Sequence, residues 1–191
     1  MNTRFVTFVV MMAILGNVLS FVPIGLTRVG QVGFDLSLIP TFIVAFYGGP
    51  ILGLITGFAG GITAGIQFGP LGQLGLLGLI GLPVGKALTG LASGIIFKGL
   101  RINGRKNPSL LAPLGVLVGY VPEFIFTVVF FLALVPPIIG WSLSLSYTIL
   151  IAIAIKAWME MIIMGVLMGA LVGNSGFNGF MSTFFNSHKA K

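Results

Sequence analysis

"YGGPILGLITGFAGGITAGIQFG", residues 47–69, carries glycine at 49, 53, 57, 61, 65 and 69, one at every fourth position of an otherwise apolar run. In water each interior glycine costs a helix about 1 kcal/mol relative to alanine, so a soluble helix of this composition would scarcely hold. Within a bilayer the balance differs. Lipid tails give apolar side chains no reason to leave them, and helices associate by close backbone approach along small-xxx-small seams. Residues four apart share a face and rotate by about 40° per step, so the glycines from 49 to 65 form one slowly winding seam. Two uses suit it: static packing inside its own bundle, or a smooth surface on which a partner subunit docks or slides.

The remaining composition agrees with that solvent. Of 191 residues 57% are hydrophobic and 7% charged, with a mean hydropathy of +1.13; soluble domains carry about 25% charged residues. The chain therefore reads as an all-α integral membrane protein, one transmembrane domain over 1–191. Apolar runs lie at 5–22, 36–66, 74–97, 113–135 and 148–172. Four match one bilayer crossing at about 1.5 Å per residue. The second is too long for one ordinary span and contains Gly48-Gly49-Pro50, where proline disfavours helix in the preceding residue and donates no hydrogen bond.

Charge position sets the topology. "FKGLRINGRKNP" holds Lys98, Arg101, Arg105 and Lys106, so the loop 98–112 is expected on the cytoplasmic side, as are Arg4 and the polar tail 173–191 with Lys189 and Lys191. Splitting the long run into two short helices satisfies this. The predicted spans are 5–22, 36–48, 50–66, 76–97, 113–135 and 148–172: a six-transmembrane-helix bundle, N-in and C-in, with short second and third helices. A re-entrant pair at 36–66 has the same parity. Outward loops then fall at 23–35, 67–73 and 136–147. The first stretch imitates a secretory signal but lacks an A-x-A-like cleavage site, and is read as a retained first helix.

Several chemistries are excluded. The formal charge is +7, yet the cations sit at the ends of apolar runs and form no basic stripe with interleaved aromatics, so no nucleic-acid partner is expected. Cysteine is absent and the single histidine, His188, lies in the tail, which removes thiolate metal sites, cysteine nucleophiles and a Ser-His-Asp site within the membrane. "GLPVGKAL" fails as a phosphate loop, with Ile80 five places before Gly85 and Ala87 after Lys86. The glycine triplets at 69–81 end too soon for collagen and read as an outer loop entering the fourth helix. No catalytic residue, metal or cofactor is expected.

What remains is charge in the wrong solvent. Lys86, Glu123, Lys156 and Glu160 fall inside predicted spans, where each costs at least about 2.5–3.5 kcal/mol if it faces lipid. They are expected to face inward. Lys156 and Glu160 are four apart on one face, and Glu123 is a candidate partner for Lys156. Either these four lock helices together as ion pairs, or they line a polar cavity for an anionic or strongly polar ligand, with Tyr120, Trp141, Tyr147 and Trp158 as candidate stacking surfaces. For Trp141 and Tyr147 the interfacial aromatic belt is the competing reading.

The run "FDLSLIPTFIVAFYGGPILGLITG", residues 34–57, resembles the most recurrent segment of the substrate-binding S components of energy-coupling factor (ECF) transporters. The shared features are Asp35 closing a polar loop, Ile39-Pro40 opening a short helix and Gly49-Pro50-Ile51-Leu52-Gly53 opening the next. "LPVGKALTGLASGIIFK", 82–98, is similar to their fourth helix, with Lys86 at a frequently basic place. The resemblance implies a multi-pass protein of the prokaryotic cell membrane. It implies binding of a small water-soluble vitamin or related micronutrient near the outer face, under the loop joining helices one and two. It also implies delivery by toppling against a transmembrane coupling subunit and two ATPase subunits, with no hydrolysis by this chain. By position, ligand contacts would come from Gln31, Asp35, Lys86, Lys156 and Glu160, with Glu123 beside them. For Gln31 and Asp35 a solvated loop and a helix N-cap at Leu36 compete. The family's A-x-x-x-A coupling contact corresponds to Ala13, Gly16 and Asn17, with asparagine in the second alanine's place. A stand-alone secondary carrier or channel using the buried charges as an ion relay is the alternative function, and a lipid-modifying enzyme a further one.

Overall fold

The computed structural model describes residues 3–21, 28–29, 32–33 and 35–185, excluding the side chains of residues 4, 28, 29, 32, 33 and 103. The fold is helical throughout apart from a two-residue ladder. Helix α1 spans Thr3–Phe21, and strands β1 (Arg28–Val29) and β2 (Val32–Gly33) pair antiparallel. Helices α2 (Ile39–Gly48), α3 (Pro50–Gly60), α4 (Ile62–Phe68) and α5 (Gly75–Gly99) follow. After a turn at Ile102–Gly104 come α6 (Pro108–Val129), a π-helical stretch Phe130–Leu134, α7 (Val135–Ile139), α8 (Leu143–Gly173) and α9 (Ser175–Phe185).

Four segments are long and apolar enough to cross a membrane: Pro50–Phe68, Gly75–Gly99, Pro108–Ile139 and Leu143–Gly173. These helices fit a multi-pass membrane protein. Phe5–Phe21 and Ile39–Gly48 are apolar but shorter. Helix α2 is 10 residues long and every residue from Pro40 to Phe46 is buried. It is an interior helix, apolar all round because protein surrounds it. The break before α3 falls at Gly49, whose φ of 91° is a left-handed value that glycine adopts without strain. Pro50 then serves as the first residue of α3, where its missing N–H is harmless.

The glycine seam packs within the chain. A Cβ on Gly53 would stand 2.3 Å from the Gly90 carbonyl oxygen, one on Gly57 2.3 Å from that of Lys86, and one on Gly65 2.7 Å from that of Leu79. Leu79 is the residue whose helical acceptor role Pro83 leaves unused, so the proline and the opposing glycine are matched. On its other side α3 meets α1: Gly60 faces Ala13 and Gly16, and Asn17 Nδ2 donates to the carbonyls of Ala13 at 2.9 Å and Ala59 at 2.8 Å. Asn17 Oδ1 accepts from the Thr63 N–H at 2.8 Å, joining α1 to the start of α4.

Two departures from the sequence reading concern helix ends. The span expected at 113–135 begins at Pro108 and continues through α7, because Pro136 and Pro137 withhold two donors and the chain accommodates this with a π-turn closed by Val135 N–H to Phe130 O. The tail expected as polar from 173 contains α9. Met181 is fully buried, Phe184 lies 4.8 Å from Phe8 and Phe185 5.4 Å from Phe5, and Tyr47 donates a hydrogen bond to Asn178. Helix α9 thereby folds back over the ends of α1 and α2.

Candidate functional site

The chain has three acidic residues, and the fold brings all three together with Lys86 and Lys156. Four separate segments supply them: Asp35 from the connection after α1, Lys86 from α5, Glu123 from α6, and Lys156 and Glu160 from α8. The glycine seam places Lys86. With no side chain on Gly57, α3 lies against the Lys86 carbonyl, and the lysine stem passes over Gly61, where an added Cβ would be 3.3 Å from its Cδ. The ammonium then reaches Asp35 Oδ2 at 2.8 Å and also donates to Ser37 Oγ.

Asp35 closes the site from the other direction. Its Oδ1 accepts from the Ser37 N–H at 2.8 Å, and its own backbone N–H donates to Glu160 Oε1. The same oxygen of Glu160 lies 3.3 Å from Lys156 Nζ. Burial alone would raise the Asp35 pKa, but the adjacent Lys86 ammonium and the Ser37 hydrogen bonds outweigh it and hold the carboxyl at about 2. Asp35 is therefore ionised at neutral pH and pinned by a charge-assisted bond. It does not cap a helix at Leu36. The helix begins at Ile39, with Leu38 at the cap position and no side-chain capping bond, and Asp35 instead makes a local turn onto Ser37.

Glu123 accepts a hydrogen bond from Thr89 and lies against Gly85, where an added Cβ would be 3.4 Å from Oε1. The expected pairing of Glu123 with Lys156 is replaced: Lys156 pairs with Glu160 on its own helix, and among the described residues Glu123 makes no salt bridge. One helical turn fixes the first geometry, whereas Thr89 opposes Glu123 across the α5–α6 contact. Beside these groups Tyr120, Phe124 and Trp158 form an aromatic cluster between α6 and α8, Trp158 edge-on to Tyr120 at 5.5 Å. Trp141 packs on the apolar cluster of Leu74, Phe130 and Val135, and Tyr147 is exposed, so neither joins the site.

Gln31 lies outside the described residues. Ala13 and Gly16 are buried against α3, and Asn17 is hydrogen-bonded to it, so this face of α1 is occupied within the chain. Sequence reasoning missed Ser37 and Thr89, which hold the two ends of the cluster. Their signal was spacing, a hydroxyl two residues after Asp35 and another three residues after Lys86 on the same helical face. Among the described residues no three His, Asp or Glu side chains gather in a metal-holding arrangement. Comparison with family models, with curated proteins and with solved structures finds no match to this chain.

Proposed function

We propose that this chain is the substrate-binding membrane subunit of an uptake system for a small water-soluble vitamin or related micronutrient. The observation that carries the reading is the junction of Asp35 with Lys86 and Glu160: the connection after α1 is fastened by ionic and hydrogen bonds onto charged groups of the helices beneath it. A few placed polar groups with aromatic rings alongside are the kind of groups that orient a small ligand in a bundle. The resemblance of 34–57 and 82–98 to S components of ECF transporters supports the same reading.

In this scheme six helical segments cross a prokaryotic cell membrane with both termini in the cytoplasm, and Asp35 sits toward the outer face. Ligand binding exchanges some bonds of the cluster for bonds to the ligand. Energy comes from a transmembrane coupling subunit and two ATPases, and this chain catalyses no reaction. Because the seam and the Ala13–Asn17 face serve internal packing, a coupling subunit would meet other faces, such as the exposed side of α1 at Met11, Ile14 and Val18.

The test is to purify the chain in detergent, identify any co-purifying small molecule by mass spectrometry, and measure binding of a panel of water-soluble vitamins without ATP. One tight ligand is expected, with Lys86→Ala and Lys156→Ala weakening binding more than expression. No binder at micromolar protein would remove most of this reading's support, and ion-gradient-driven uptake into liposomes by this chain alone would replace it with that of a secondary carrier.

A further inference from the structure

At the end of α5 away from the charged cluster, a groove of about 320 Å³ runs between the last turns of α5 and the first turns of α6. Its walls are wholly apolar, and Ile95, Leu100 and Leu114 on them are more than half exposed. A basic turn forms its rim. Arg101 stands between two wall residues, Leu100 and Ile102, with a left-handed φ of 49°. The Arg105 Nε–H donates to the Leu100 carbonyl at 3.4 Å, which holds a second guanidinium at the same edge. Both arginines are exposed, and neither makes a salt bridge among the described residues; the acids of the chain are all gathered in the charged cluster.

We propose that this groove is a binding site for an anionic phospholipid, one acyl chain lying along the α5–α6 walls and the phosphate meeting Arg101 and Arg105. The two halves of the site require one amphipathic occupant. A soluble anion leaves the apolar walls uncovered, and an apolar partner helix leaves two guanidiniums unused. A zwitterionic lipid fills the walls but brings its own cation to the rim. Basic pockets between membrane helices select anionic headgroups in this way, and a planar guanidinium fork suits phosphate oxygens. The site is independent of the uptake reading.

The full-length chain in mild detergent is titrated with dioleoyl phosphatidylglycerol or dioleoyl phosphatidylcholine, and bound lipid is counted by native mass spectrometry. Phosphatidylglycerol is expected to be retained preferentially, and less so as salt rises. The double variant Arg101→Gln/Arg105→Gln should lower its retention about 30-fold, at roughly fivefold per surface cation, and leave phosphatidylcholine unchanged. Leu114→Trp, which fills the groove from an exposed position, should lower phosphatidylglycerol retention with the cations intact; Val118→Trp repeats the test on the next turn should that variant not fold. Equal retention of the two lipids by the wild type overturns the proposal. So does undiminished phosphatidylglycerol retention in the arginine variant or in a folded tryptophan variant.

Discussion

Where α3 crosses α5, an added Cβ on Gly90 would stand 2.1 Å from the Gly53 carbonyl oxygen; where α5 faces the loop and α6, it presents Lys86 to Asp35 and Thr89 to Glu123. One contact of this helix is made by the absence of side chains, the other by the longest and most polar ones. The first contact is held by backbone proximity and has no movable part. The second is held by ion pairs and hydrogen bonds, each of which can be exchanged for a bond to something else. The rigid contact positions the exchangeable one, since Lys86 passes over Gly61 on its way to Asp35.

The largest expected effect is on the rigid side. Gly90→Leu sets a side chain against a carbonyl that no rotamer change can move, and should destabilise by about 4 kcal/mol or prevent recovery of folded protein. Gly99→Ala, at a glycine with nothing within 4 Å of the added carbon, is the control and should leave stability unchanged or slightly raised. Thermal unfolding in detergent reads both. If Gly90→Leu behaves like Gly99→Ala, the seam is not a backbone contact.

Next comes the polar side. Lys86→Met leaves Asp35 and Ser37 without their cation, and breaking a mostly buried pair from one side should cost about 3 kcal/mol. Adding Asp35→Asn to Lys86→Met should recover part of that loss, because the uncompensated charge disappears with its partner. A double variant as unstable as the sum of the singles would mean that the two residues do not interact, and that the loop is held by Glu160 alone.

The two contacts of α5 differ also in how far they could be read in advance. The seam follows from glycine spacing alone, whereas packing on its partner, the next membrane-length helix along the chain, is one of two uses that the spacing leaves open. The burial of Lys86 and Glu160 is likewise legible, since a charge in an apolar run has few places to go. Their partners are not. Asp35 meets Lys86 across 51 positions and Glu160 across 125, and no local period encodes such a meeting. The pairing of Lys156 with Glu160 was legible as an i,i+4 pair, yet Glu123 competed for the same lysine, and only the helix rotations decide between them. Helix α9 went unread although Phe177, Met181, Phe184 and Phe185 recur at helical spacing; asparagine, serine and glycine between them made the tail look polar.

Acid sharpens the comparison because only one of the two contacts contains a group that titrates in this range. The folded pKa of Asp35, about 2, lies below its ordinary value of 3.8. A depressed carboxylate pKa contributes stability that is fully present above the unfolded value and is lost as pH falls through the folded one. The part of the stability difference between wild type and Asp35→Asn that comes from ionisation should therefore be constant above about pH 5, shrink from pH 4 downward through pH 2 and be gone near pH 1. The difference between wild type and Gly90→Leu should not change over that window through Asp35. A wild type to Asp35→Asn gap that does not shrink between pH 5 and pH 2 would detach the Lys86 contact from the ionised carboxylate.

The smallest effect concerns α1, where the two modes of contact meet in three residues. Ala13 and Gly16 approach α3 by being small, while Asn17 donates both amide hydrogens to the carbonyls of Ala13 and Ala59 and accepts from the N–H of Thr63. Polar contacts between membrane helices average about 0.6 kcal/mol, because the separated helices also find partners, so Asn17→Ala should cost only about 1 kcal/mol. A small number is informative here because the residue has two possible employers. If Asn17 works inside the chain, Asn17→Ala lowers the melting temperature of the isolated protein and leaves any coupled uptake in proportion to folded protein. If it serves a coupling subunit, the isolated protein melts unchanged and uptake falls alone. The three internal hydrogen bonds favour the first outcome.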